Sequence, residues 1–346
     1  MMTATLGRYS LVDIIARGGM AEVYLATTSA DSHLRKTVAI KRILRQYSQS
    51  SEFIKMFYDE AKVALQLKHK NIVTVYDFGI DRGHPYLVME YLPGKSLQYL
   101  KTRLLESQKQ IPVEHVLFLM KEIASGLSYL HRLVDEESGL PMNLTHRDVT
   151  PQNIIIGSHG DIKIIDFGVA KSSLSESVTQ VGVIKGKYGY LSPEQLHSAL
   201  LDGRSDIYSL GVIFWELLLN RRLFNFQSEL EYVSQLKDFR ASPELVAGEW
   251  IDEDLKPIIL RMLQPQREDR YQSAQELLQD LTTVLNQRLP GYTELQFAQF
   301  IREWIPFEPL SISQSVKTPS VSSEIKVVRR YIFKTPVSNG HTGTEN

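Results

Sequence analysis

Cysteine is absent from all 346 residues. That absence excludes a disulfide framework, thiolate catalysis, and zinc or iron–sulfur centres ligated by cysteine. A surplus of one charge is missing too, since 39 Lys and Arg stand against 40 Asp and Glu, for a formal charge of -1. Proteins that mainly neutralise nucleic-acid phosphates or an anionic membrane surface need a clustered cationic excess, so no nucleic-acid partner is expected. No apolar run approaches the roughly 18 residues of a spanning helix. The best candidate, Ile207 to Leu219, is short and carries Ser209 and Glu216. Asp13 interrupts the only apolar stretch near the start, which is unlike a secretory signal. The expectation is a soluble, cytoplasmic protein without a membrane span. At about 150 residues per domain, the length suits two domains or lobes.

What is present changes character along the chain. From Tyr9 to Glu90 the pattern is mostly that of strands: Glu22 to Ala26 and Thr37 to Lys41 are short, alternating and β-branched. One helix, about Ser51 to Leu67, interrupts strands that resume at Ile72 to Phe78 and Tyr86 to Glu90. Beyond Pro93-Gly94 the period becomes helical. Val113, Val116, Leu117, Met120, Ile123, Ala124, Leu127 and Leu130 form one stripe behind Pro112, which is suited to the first turn. Asp206 to Leu219 and Gln275 to Leu285 add two more helices. A small β-rich lobe followed by a larger helical lobe is an α+β pattern. Thr293-Glu294-Leu295-Gln296 reads as a capping box, followed by Phe297, Phe300, Ile301, Trp304 and Ile305 on one face before Pro306. That helix should dock on the large lobe. From Ser311 the composition is too polar to offset the entropy of ordering, so no stable structure is expected there.

Three strings carry chemistry. Ala16-Arg17-Gly18-Gly19-Met20-Ala21-Glu22-Val23 lies between two strands, where glycine lets backbone N–H groups approach phosphate oxygens. Alone, it also fits an ordinary hairpin turn. Val38-Ala39-Ile40-Lys41 places a lysine on a strand, and Glu60 on the following helix is its natural partner if it points inward. Together they would fix an ammonium against the α and β phosphates of a nucleotide; a snorkelling surface lysine is the other reading. The third string is His146-Arg147-Asp148-Val149-Thr150-Pro151-Gln152-Asn153, followed by Asp166-Phe167-Gly168. By chance these two patterns should occur about 0.002 and about 0.04 times in a chain of this length.

In this order, and with the Ala-Pro-Glu-like Ser192-Pro193-Glu194, the strings resemble the signature set of the protein kinase family. The phrasing is most similar to bacterial members of the eukaryotic-like serine/threonine kinases. The resemblance implies a bilobal kinase fold over residues 9–285, with lobes at about 9–92 and 93–285; outside it, 1–8 read as an N-terminal extension, 286–310 as an extra helix and 311–346 as a disordered tail. It also implies ATP and Mg²⁺ as cofactors, and proteins as substrates. Asp148 would accept the substrate hydroxyl proton or orient that hydroxyl, while Asn153 and Asp166 would ligate Mg²⁺. Lys41, held by Glu60, would fix the α and β phosphates. Ala16, Arg17, Gly18 and Gly19 would cover the phosphates, and Val23, Ala39 and Ile155 would sandwich the adenine. Met89 matches the gatekeeper, the Glu90 carbonyl and Leu92 N–H the purine contacts, and Ser96 the ribose contact. Asp206 matches the anchor of the catalytic loop, and Arg270 the partner of Glu194.

Two departures from the family pattern answer each other. The catalytic-loop lysine is Thr150 here, and the family threonine ahead of the Ala-Pro-Glu motif is Lys187, so the two residue types have exchanged places. Lys187 is therefore expected to reach the γ phosphate, with Thr150 as its hydroxyl partner. Arg147 beside Asp148 suits an activation segment ordered by phosphorylation, and Thr179 matches the usual bacterial acceptor. Autophosphorylation would bring two copies together as a transient homodimer. A pseudokinase scaffold is the competing class, favoured by Thr150, Ala16 and Ala21 but not by the complete set Lys41, Glu60, Asp148, Asn153 and Asp166.

Overall fold

The computed structural model describes residues 4–28, 36–135, 138–166, 188–196, 201–247 and 251–305. Lys187, Thr179, Phe167, Gly168 and the tail 311–346 lie outside the described residues.

The small lobe is built on β1 (Thr5–Leu6), β2 (Tyr9–Arg17), β3 (Ala21–Thr28), β4 (Thr37–Ile43), β5 (Val75–Asp81) and β6 (His84–Glu90). They form one antiparallel sheet in the order β1-β2-β3-β4-β6-β5, with helix α1 (Ser51–Gln66) inserted between β4 and β5. Ser50 starts α1 by accepting the Phe53 N–H on its side chain at 3.2 Å. Alternation sets the direction of each side chain. Val38 and Ile40 join one buried cluster with Tyr24, Tyr86 and Val88. Ala39 joins a second cluster, with Phe57 and Ala61 of α1 and with Leu87 and Met89 of β6. Lys41, two residues on from Ala39, therefore shares the face turned toward α1.

Residues 4–8, read as an extension, join the sheet: Leu6, 1% exposed, pairs with Tyr9 across the turn at Gly7, whose φ is 55°. Burying that side chain against Tyr9 and Tyr86 makes the pairing favourable. The strand expected at Ile72 to Phe78 begins only at Val75. Ile72 and Val73 are apolar because they plug the junction between lobes: Val73 N–H donates to the Ile164 carbonyl at 3.0 Å, and Ile164 N–H to the Asn71 carbonyl at 2.9 Å.

The large lobe opens with β7 (Gly94–Ser96), α2 (Leu97–Ser107) and α3 (Val113–His131). Strands β8 (Ile154–Gly157) and β9 (Ile162–Ile164) complete a three-stranded sheet with β7. After α4 (Pro193–Leu196) come α5 (Gly203–Leu219), α6 (Glu229–Asp238), α7 (Lys256–Met262), α8 (Ala274–Arg288) and α9 (Glu294–Ile301). Helix α5 is buried almost all round and forms the lobe's axis, as its nearly continuous apolar sequence requires. The capping box at Thr293 and Gln296 starts α9, and Phe297 and Ile301 fix it to the lobe at 1% and 0% exposure. Phe300 of α9 stacks on His115 of α3 with ring centroids 4.0 Å apart. Among the described residues, no helix is long and apolar enough to cross a membrane.

Candidate active site

The cleft between the lobes gathers residues from four parts of the chain. Lys41 reaches out of β4 and bonds Asp166 Oδ1 at 2.8 Å. Asp166 is thus bonded directly, and Glu60, the partner the sequence pointed to, acts on Lys41 through its charge. Asp166 sits just beyond β9 with φ at 59°, in the left-handed region. Burial alone would lower the Lys41 pKa, but the charges of Asp166 and Glu60, with a smaller contribution from Asp148, raise it above the ordinary lysine value. The ammonium therefore stays charged in a site where it is 19% exposed.

The catalytic loop is held from beneath. Asp206 of α5 accepts the His146 N–H on Oδ2 and the Arg147 N–H on Oδ1, each at 2.8 Å. His131 Nε2 lies 2.8 Å from Asp206 Oδ2. These bonds hold Arg147 at φ 66°, a left-handed conformation that costs an arginine energy and needs such support. The His146 ring then ties the loop to the strand before Asp166. Its Nδ1 accepts the Asp148 N–H at 3.3 Å, which leaves Nε2 to donate to the Ile165 carbonyl at 3.1 Å. Asn153 Nδ2 donates both to the Asp148 carbonyl at 2.9 Å and to Asp148 Oδ2 at 2.8 Å, which fixes the plane of that carboxylate.

The arrangement fits a bound Mg²⁺. With its amide nitrogen spent on Asp148, Asn153 offers its side-chain oxygen, and Asp166 supplies a second hard donor. Among the described residues there is no cluster of three or more His, Asp or Glu to cage a metal. A cation here would complete its shell with phosphate oxygens and water, as Mg²⁺ in phosphoryl-transfer sites does.

Of the residues expected around an adenine, Val23, Ala39 and Met89 lie on three neighbouring strands, β3, β4 and β6. Ala39 pairs directly with Met89, and Val23 with Lys41. Ala39 and Met89 are 6% and 7% exposed, while Val23 and Ile155 are half-buried. Gly18 and Gly19 occupy the tip of the β2–β3 hairpin, closed by Gly18 N–H to the Ala21 carbonyl at 2.8 Å, with Ala16 and Arg17 in the strand leading to it. The Glu90 side chain is engaged: its Oε2 takes Lys163 Nζ at 3.0 Å and Thr74 N–H at 3.2 Å. Leu92 follows it, partly buried, between the lobes. Ser96 caps α2, its Oγ accepting the Tyr99 N–H at 3.3 Å, so a ribose contact there would share a hydroxyl already in use. Thr150 is 2% exposed, and its Oγ1 has no hydrogen-bond partner among the described residues.

Several supports had no signal in the motifs. Gln195 Nε2 donates to the Arg147 carbonyl at 3.0 Å, and Gln152 Nε2 to Gln98 Oε1 at 3.4 Å. Asn71 Nδ2 bridges Glu122 Oε2 at 2.8 Å and the Ile162 carbonyl at 3.1 Å. The Arg270–Glu194 pair implied by the resemblance is present as a two-pronged contact of 2.7 and 2.9 Å, with the guanidinium fully buried.

Among known proteins, the fold is similar to the kinase domain of PknI from Mycobacterium tuberculosis. The TM-score is 0.59 at 25% identity, over 81% of this chain and 98% of that one. In sequence the chain is 34% identical over 296 residues to the tyrosine-protein kinase MasK of Myxococcus xanthus, covering 86% of this chain and 46% of MasK. It is also 34% identical over 283 residues to the serine/threonine-protein kinase PrkC of Bacillus subtilis, covering 81% of this chain and 41% of PrkC. The chain thus spans less than half the length of either curated relative. Residues 9–281 match the protein kinase domain, and with Lys41, Asp148, Asn153 and Asp166 assembled in one cleft, the chain belongs to the protein kinase family.

Proposed function

We propose that the chain transfers the γ-phosphoryl group of ATP to Ser or Thr hydroxyls of proteins, itself included, in the cytoplasm, the compartment that holds ATP. The observation that carries this reading is the convergence of Lys41, Asp148, Asn153 and Asp166, with Lys41 bonded to a residue 125 positions away. A scaffold that only binds has no physical need of that set. Asp148 receives or orients the hydroxyl, its carboxylate held in plane by Asn153. Lys41, kept charged by Asp166 and Glu60, holds the α and β phosphates. When bound at Asn153 and Asp166, Mg²⁺ offsets charge on the phosphate oxygens. Lys187 supplies the cation near the transferring group that Thr150 cannot, Thr150 being its hydroxyl partner.

Arg147 Nε is buried without a hydrogen-bond partner among the described residues. A phosphate on Thr179 is the kind of dianion that would satisfy it, which supports autophosphorylation through a transient homodimer. Transfer to tyrosine is a second reading, favoured by the loss of lysine at Thr150 and by the likeness to a relative named as a tyrosine kinase.

The test is incubation of the full chain with ATP and Mg²⁺, then mass mapping of phosphate on the chain and on a generic basic protein. Phosphoserine and phosphothreonine, lost in Asp148→Asn, are expected. Phosphotyrosine alone would favour the second reading, and no transfer at all would leave the scaffold. A rate second order in protein concentration would support the homodimer.

A further inference from the structure

A buried charge cluster outside the cleft surrounds Glu216 of α5, which is 2% exposed. The Tyr190 hydroxyl donates to its Oε2 at 2.8 Å, and Lys101 of α2 forms an ion pair with the same oxygen. Lys101 Nζ also lies 3.0 Å from the Tyr190 hydroxyl. Arg222 Nη1 reaches that hydroxyl at 3.0 Å and Glu216 Oε1 at 4.0 Å. Two cations therefore share one carboxylate. Neutralising a buried Glu216 requires only one of them, and the second, Arg222, is 48% exposed. Among the described residues, its Nη1 alone makes a hydrogen bond.

The cluster lies beside the catalytic loop along two independent routes. Along α2, Lys101 is one turn from Gln98, which bonds Gln152, the neighbour of Asn153. Along the other route, Tyr190 leads to Ser192, whose N–H bonds Gln195 Oε1 at 2.9 Å, and Gln195 Nε2 bonds the Arg147 carbonyl next to Asp148. The contacts close a ring from Asp148 through α2 and Tyr190 and back to Arg147. A peptide presenting a hydroxyl to Asp148 has to rest on the surface around it, and this ring ties the Lys101 and Arg222 cluster to that surface.

We infer that Lys101 and Arg222 form a subsite for a carboxylate of the peptide substrate. The enzyme then prefers Asp or Glu at a position flanking the accepted hydroxyl. This rests on the kinase reading above and adds a substrate class to it. Burial lowers the Lys101 pKa against the attraction of Glu216, and Arg222 lowers it further, so an added anion stabilises the charged form.

The experiment is a positional peptide library phosphorylated by the full chain, scored as kcat/KM for Glu against Gln at each flanking position. An acid preference of about three- to ten-fold is expected at one or more positions, carried mainly in KM. Arg222→Gln should abolish it with turnover of neutral peptides unchanged, and Arg222→Lys should restore part of it. Equal or better use of neutral and basic peptides, or a preference that survives Arg222→Gln, overturns this inference alone. Absence of transfer to any peptide or to the chain itself overturns the kinase reading and this inference with it.

Discussion

Asp206 contacts backbone and a histidine, and through them it decides where Asp148 stands. Replacing it with alanine would leave the His146 and Arg147 N–H groups buried without acceptors and release Arg147 from its left-handed backbone. Asp206→Ala is expected to lower the unfolding free energy by about 3 to 5 kcal/mol, while Asp206→Asn, which keeps one acceptor, loses about half of that. Urea titration followed by fluorescence measures both, and an unchanged midpoint for the alanine variant would mean the loop is held by something else. Lys187 presents the opposite case, a residue assigned only from its exchange with Thr150. Lys187→Ala should reduce kcat by at least about ten-fold while leaving stability within about 0.5 kcal/mol. A loss under three-fold in a steady-state assay would reduce the exchange to coincidence.

Among the elements, α3 was readable because its apolar stripe runs for five turns and a proline marks its start, and its observed span is Val113–His131. Strand β4 was readable from a short run rich in β-branched residues. Ile72-Val73 misled because an apolar run reports burial and not the identity of the partner, which here is β9. The pair β8 and β9 has four and three residues, too short for periodicity to separate from loop, although its turn has a structural consequence. Gly160, at φ 90° in that turn, packs against α9: a Cβ there would come 2.6 Å from the Glu294 carbonyl oxygen and 3.0 Å from Ala298 Cβ. Helix α9 lies beyond the matched kinase domain, yet it braces the hairpin that runs from Asn153 toward Asp166. Gly160→Ala is therefore expected to cost about 2 kcal/mol, from the strained backbone plus the contact with α9. Hydrogen exchange would locate the effect. Amides of α9 should lose protection, and retention of full protection there would show that the turn and the helix are independent.

Across the whole molecule, the candidate site was legible where its chemistry sits in short strings, as with Lys41, Asp148, Asn153 and Asp166. It was not legible where polar groups distant in the chain meet, because no local pattern ties Asn71 to Glu122 or Gln195 to Arg147. Those buried joints also set how the fold responds to pH. Burial would raise the Glu122 carboxyl, but hydrogen bonds from Lys121, Lys70 and Asn71 hold it below its ordinary value; Arg270 and Ser205 do the same for Glu194. Both contribute stability at neutral pH that is lost as pH falls below about 4.5 and the folded carboxylates take up protons. Burial pushes His69, His84 and His115 down, so the unfolded chain gains protons before the native one, and stability begins to decline below about pH 6.5. On the alkaline side, Tyr24 and Tyr188 are pushed up to about 12, chiefly by burial. The unfolded chain then loses phenolic protons first, and stability falls from about pH 10 toward 12. The urea midpoint of the full chain should therefore be flat between about pH 7 and 10, fall gently to about 5, and fall steeply below 4.5. A midpoint that held from pH 7 to 4 would mean that the histidines and the Glu122 and Glu194 joints do not differ in proton affinity between the folded and unfolded chain.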